Sequence, residues 1–272
     1  VSEGLNIRKI STCTEMFKRN SLGEVLSILE EIKFEYFDCA WHLLDNLTVS
    51  AARDELSKST VKLCAVMGGG DFGVNDEHIK SQFTQVQKQI EMANKLDGRL
   101  VRIFASLIPE QYATRETIER VIQNLMKLTK VAEDSGVMLA LENEFGITSR
   151  GEQIVQIIDR INSPNLGANL DPANFMVSKE DPVRAIEVLG RRIFHTHLKD
   201  CTYTGTGRWW GYEWVELGTG QMDYRSILAK LEKVGYNGFL SLEYEQSDIV
   251  RGTILSRMYL KKLLSELQAM RS

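Results

Sequence analysis

VMLALENE, residues 137–144, opens as an unbroken apolar run and closes on two glutamates. An apolar run of this kind suits a strand covered on both faces, as parallel strands between helices are, better than a strand with one wet face. Seven other runs share this character: KISTC (9–13), YFDCA (36–40), VKLCAVM (61–67), RLVRIFAS (99–106), LGANLD (166–171), RIFHTHL (192–198) and GFLSLEY (238–244). Helical patterns fill the gaps. Ser21 and Glu24 have the spacing of a capping box ahead of VLSILEEI. Ile79, Phe83, Val86, Ile90 and Ala93 recur at helical spacing, as do Ile118, Val121, Leu125, Leu128 and Ala132, and glycine follows each set at 98 and 136. Residues 223–235 form another helix ending on glycine. Eight such units of about 34 residues predict an α/β fold, a single (β/α)8 TIM barrel over residues 1–272. An open doubly wound sheet is the competitor, but no linker or shift of composition breaks the eight units.

The bulk numbers agree. The chain is 43% hydrophobic and 26% charged with a net charge of −4, an ordinary balance for a chain with a large core. Mild acidity without a Lys/Arg block argues against nucleic acid as a partner. No apolar run approaches a membrane span, and no signal-peptide core is visible at the N-terminus. The four cysteines, at 13, 39, 64 and 201, show no CxxC or metal-ligand spacing and read as reduced thiols of a cytoplasmic protein. The chain starts at Val1 rather than Met, so native residues are expected ahead of it.

In a barrel of this kind the chemistry sits at the C-terminal strand ends. The fifth run ends in Glu142 and Glu144, the sixth in Asp171 followed by Asn174, the seventh holds His195 and His197, and the eighth ends in Glu243 and Glu245. Residues two apart on a strand share a face. Any one of these is ordinarily a salt-bridge partner or a satisfied core residue. Acidic and imidazole groups at four successive strand ends are a different matter, because the carboxylates would repel unless a divalent cation held them together.

ALEN around Glu142, NLDPANF around Asp171, HTHLKD around His197 and GYNGFLSLEYE around Glu243 resemble the xylose isomerase-like barrels, and within them the sugar phosphate isomerase/epimerase group that includes ketose 3-epimerases. The resemblance implies one divalent metal held by Glu142, Asp171, His197 and Glu243. Three oxygens and one nitrogen suit Mn, Mg or Co better than Zn. It further implies a small-molecule carbohydrate substrate, a homo-oligomer, and Glu142 and Glu243 as acid and base on opposite faces of a ketose whose carbonyl the metal polarises, through an enediolate. Many relatives carry histidine where this chain has Glu144 and Asn174. Both positions are expected to touch substrate, and His195 is expected to line it or to support the site from deeper in the barrel.

Lys199 is expected either to bind a substrate oxygen or to pair with Asp200. Residues 202–221 make an unusually long connection that holds Trp209, Trp210 and Trp214, expected either to contact the sugar, Trp210 among them, or to pack the loop down or form a subunit contact, with Arg208 beside them as a candidate for an anionic substituent. Trp41 and His42 are expected on the opposite side of the mouth, and GGGDFG (68–73) as a flexible rim. Three rival functions share these residues. A lyase or dehydratase on a 3-keto-sugar, keto-glycoside or cyclic keto-acid would use the same first proton abstraction. An abasic-site endonuclease would need more histidines than the four present. A barrel that binds sugar without turnover would keep the same ligands.

Overall fold

The structure is a computed structural model and describes residues 9–207 and 209–270. Eight parallel strands form the barrel: β1 (Ile10–Thr12), β2 (Tyr36–Ala40), β3 (Lys62–Met67), β4 (Leu100–Ile103), β5 (Met138–Glu142), β6 (Leu166–Leu170), β7 (Ile193–Leu198) and, after an inserted hairpin, β10 (Leu240–Leu242). The hydrogen-bonded order runs β1-β10-β7-β6-β5-β4-β3-β2. A parallel bridge between Cys13 and Asp38 closes the seam between β1 and β2. Thr14 reinforces it: its N–H donates to the Asp38 carbonyl at 3.1 Å, and its hydroxyl donates to the same carbonyl at 2.8 Å. That hydroxyl also accepts the Ala40 N–H at 2.9 Å.

The helices follow the strands as the periodicity predicts. They are α1 (Leu22–Glu31), α2 (Val49–Ser57), α3 (Asp76–Lys95), α4 (Arg115–Asp134), α5 (Gly151–Ile161), the short α6 (Pro172–Val177), α7 (Pro182–Leu189), α8 (Tyr224–Lys233) and α9 (Ile249–Ala269). Ser21 and Glu24 form the expected capping box. Gly136 and Gly235 stand at φ +67° and +82° just past α4 and α8, a left-handed backbone that ends a helix at least cost when no side chain is present. The apolar stripes of α1, α3 and α4 (Val25 and Leu29, Val86 and Ile90, Leu125 and Leu128) are buried in the main core. Inside the barrel, Leu100 and Ala140 pack with Ala65 and Phe194 in a separate small cluster. They lie two residues before Arg102 and Glu142 and share their inward face, so an apolar layer underlies the ionisable groups.

Two expectations need correction. GGGDFG is a packed segment: Phe72 is fully buried and its N–H donates to the Ala105 carbonyl, while the Gly68 carbonyl accepts from Arg102. The long connection after β7 is an antiparallel hairpin, β8 (Asp200–Gly207) and β9 (Gly211–Val215). The buried carboxylate of Asp200 pins the return of this chain, accepting the N–H groups of Gly218 at 2.8 Å, Gly220 at 3.1 Å and Met222 at 3.2 Å. A Cβ on Gly220 would lie 2.1 Å from Asp200 Oδ1, so the backbone can approach only as glycine.

Candidate active site

Four strand ends deliver their side chains to one place. Glu142 ends β5, Asp171 caps α6 just after β6, His197 lies on β7, and Glu243 follows β10. His197 Nδ1 is 2.8 Å from Glu142 Oε1 and 3.5 Å from Glu243 Oε2. The candidate ligand atoms of these three residues lie within 4.8 Å of one another. Asp171 lies outside that triplet and connects to it through Lys199, whose Nζ is 3.4 Å from Asp171 Oδ2 and 3.2 Å from Glu243 Oε2. Asp171 Oδ1 accepts the N–H groups of Ala173 and Asn174, the capping bonds that the DPAN turn provides. Its Oδ2 and Glu243 Oε2 are buried without a hydrogen bond.

The electrostatics are those of a crowded acidic cluster. Burial pushes the Asp171 carboxyl up to about 7, with the charges of Glu243 and Glu142 adding to the pull against Lys199. Burial and then the Glu142 charge raise Glu144 to about 8. Burial also works against Glu142, but the charges of His197 and Arg102 overcome it and hold that carboxyl at about 2. Burial opposes a charged His197, yet Glu142 and Glu243 bring it up to about 10. Converging carboxylate oxygens, two of them without hydrogen bonds, beside an imidazole nitrogen fit a divalent cation in both donor type and charge.

Two residues that the strand-end reading overlooks complete the floor. Arg102 of β4 meets Glu142 Oε2 at 3.1 Å and donates to the Gly68 carbonyl at 2.8 Å. Asp38 of β2, fully buried, lies 2.6 Å from His195 Nε2 and 3.4 Å from His197 Nε2, and accepts from Cys64 Sγ at 2.7 Å. The signal was a charged residue inside an apolar run, in YFDCA and in RLVRIFAS. His195 therefore sits beneath the site, bound to Asp38, and does not line the cavity. Lys199 pairs with Glu245 at 2.5 Å rather than with Asp200, and its ammonium lies 4.8 Å from the Trp214 ring centroid.

Above this floor opens a cavity of about 690 Å³. Glu142, Glu144, Asn174, Lys199 and Glu243 line it, with Trp209, Tyr212 and Trp214 of the hairpin as an aromatic wall. Asn174 Nδ2 donates to Glu144 Oε2 at 3.2 Å, so the two positions that depart from the resembled pattern are bonded to each other. Trp41 and His42 are not among the lining residues. Neither is Trp210, which belongs to a neighbouring cavity. Arg208 lies outside the described residues.

Fold, site and sequence point to one class. The chain belongs to the xylose isomerase-like TIM barrel family, whose model matches residues 26–263. It is 26% identical over 227 residues to the L-ribulose 3-epimerase of Mesorhizobium japonicum, covering 80% of this chain and 72% of that one. It is 27% identical over 179 residues to the 3-oxo-isoapionate decarboxylase of Pectobacterium atrosepticum, covering 65% of this chain and 60% of that protein. With the first curated relatives, then, the match spans about three fifths of their length. A solved structure of a D-tagatose 3-epimerase-like protein superposes with a TM-score of 0.83 at 22% identity over 97% of this chain and 100% of that one.

Proposed function

We propose that this protein is a divalent-metal-dependent isomerase or epimerase of a keto-sugar, with Glu142, Asp171, His197 and Glu243 as the metal ligands. The carrying observation is the convergence on His197 Nδ1, buried with Asp171 outside the cavity lining, of Glu142 and Glu243, which line the cavity. A divalent ion held there supplies Lewis-acid polarisation of the substrate carbonyl. Glu142 ends β5 and Glu243 follows β10, which β7 and β6 separate; in the proposed reaction one takes the proton next to the carbonyl and the other returns it from the opposite face. Lys199, held between Glu243, Asp171 and Glu245, donates a hydrogen bond to the oxygen that gains charge. Glu144 and Asn174 hold substrate hydroxyls, and His195 supports the floor through Asp38.

The decarboxylase among the relatives keeps a lyase reading in view: a β-leaving group expelled after the same proton abstraction, or CO₂ lost from a β-keto acid to give an enolate that is protonated afterwards. Deuterium exchange separates them. Protein loaded with Mn²⁺ in D₂O is expected to place deuterium beside the carbonyl of a ketose without change of carbon skeleton, read by NMR and mass. Glu243→Gln is expected to slow exchange by about 10²–10⁴-fold. Exchange followed by a dehydrated product, or loss of CO₂ from a β-keto sugar acid offered in the same panel, would move the assignment to the lyase. Failure to exchange any ketose with the metal bound would remove the isomerase reading.

A further inference from the structure

Beside the reaction cavity lies a second one of about 800 Å³, and Phe145 and Tyr212 line both. Phe145 is the divider. On the inner side its ring stacks with Trp209, at 6.1 Å and 18° between planes; on the outer side it meets Trp210 at 4.3 Å. Trp210 and Tyr203 line the outer space and leave much of their surface uncovered, 64% and 57% exposed. Ser149, Arg150, Glu110 and Ser178 contribute hydrogen-bonding groups around them. The backbone of this cavity is unusual as well. Trp210 holds φ +50°, a position that a bulky side chain rarely adopts, and Lys179 and Gly146, which also line the space, stand at +61° and +75°. Gly211, at φ +92°, follows directly, and a Cβ there would lie 2.5 Å from the Tyr203 ring. The hairpin tip is thus bent at the residue that places an indole over Phe145.

We infer that this outer cavity is a subsite for a second sugar ring, so that the substrate is a keto-sugar carrying a further ring, a ketose disaccharide or keto-glycoside. The inference rests on the proposed reaction for the inner ring. Aromatic faces suit the C–H faces of a pyranose, and the polar groups around them suit its hydroxyls. The space adjoins the reaction cavity across Phe145 and Tyr212, which line both, so a ring held there would lie next to one held at the floor.

The test uses the full chain with Mn²⁺ and three probes: D-fructose, isomaltulose (fructose with glucose on O6) and lactulose (fructose with galactose on O4). Calorimetry is expected to show at least one disaccharide binding about ten-fold more tightly than fructose, with Trp210→Ala bringing that ratio close to one. Tyr203→Ala is expected to lower it in the same direction, and the thermal melt of each variant reports folding. Equal affinity for all three sugars, or a ratio unchanged in Trp210→Ala, overturns the subsite. So does sedimentation as a dimer that Trp210→Ala dissociates, because the face would then belong to a second copy. Deuterium exchange in the same samples keeps the two readings apart. Exchange on fructose with equal binding removes the subsite alone, whereas a Trp210-dependent preference without exchange supports the subsite and counts against the isomerase.

Discussion

Arg102 and Glu142 meet at 3.1 Å with both side chains buried, and the pair ties β4 to β5 at the floor of the cavity. Removing one partner leaves the other charge buried, so Arg102→Leu is expected to cost about 3–5 kcal/mol in urea unfolding. Arg102→Lys keeps the charge but lacks the fork that also reaches the Gly68 carbonyl, and only partial recovery is expected. A leucine variant that unfolds at the parent's urea midpoint would show that the pair does not hold the floor.

Asp38 lies behind both histidines, 2.6 Å from His195 and 3.4 Å from His197. Its direct bond is to His195; it reaches His197 Nε2 by charge rather than by a hydrogen bond, and on the proposed ligand set that charge would raise the basicity of the His197 imidazole. Asp38→Asn preserves shape and removes the charge, and it is expected to weaken Mn²⁺ binding by about 10–100-fold in calorimetry. An unchanged dissociation constant would reduce Asp38 to a packing role.

On the proposed ligand set a divalent metal would stabilise the fold as well, because its ligands come together only where the four strand ends converge. At a concentration about 100 times its dissociation constant, Mn²⁺ is expected to add about 2.7 kcal/mol. That corresponds to a rise in Tm of roughly 5 °C for a domain of this size, measured by scanning calorimetry. Glu142→Gln and Glu243→Gln are expected to shrink the rise. A rise of the same size in both would locate the cation elsewhere.

Asp223 tests the acid side of stability away from the site. It caps α8 by accepting the Ser226 N–H at 3.1 Å, and the hydroxyl and N–H of Ser226 hold its carboxyl below the usual range. A carboxyl lowered in the folded state adds stability above its unfolded pKa and loses that contribution as the pH falls through the folded value. Asp223→Ala is therefore expected to cost about 1 kcal/mol at neutral pH. The gap should narrow as the pH drops below about 4. A gap independent of pH would mean that the charged cap is not what matters.

The eight barrel strands were legible because each is an apolar run bounded by helical periodicity, and strand-end positions follow from topology. β8 and β9 were harder. TYTGTG carries the threonine and tyrosine of a strand, but alternation on a surface ribbon lacks the continuous apolar run that marked the others. Arg102 and Asp38 escaped notice for the opposite reason. Each stands inside an apolar run, where a charge is tolerated only because a partner from another strand meets it, and partnership across β2–β7 or β4–β5 is a property of closure. The position of Trp210 outside the reaction cavity depends on one left-handed residue at a hairpin tip, which no periodicity encodes.

The seam between β1 and β2 gives the barrel its last consequence. Elsewhere neighbouring strands share a ladder; here the join is the Cys13–Asp38 bridge with Thr14 laid across it. The backbone of Asp38 is thus part of the clasp, while its side chain steadies the histidines on the far wall. A substitution that opened the clasp would therefore disturb the backing of both imidazoles as well, so closure of the cylinder and the shape of the candidate centre depend on the same residue.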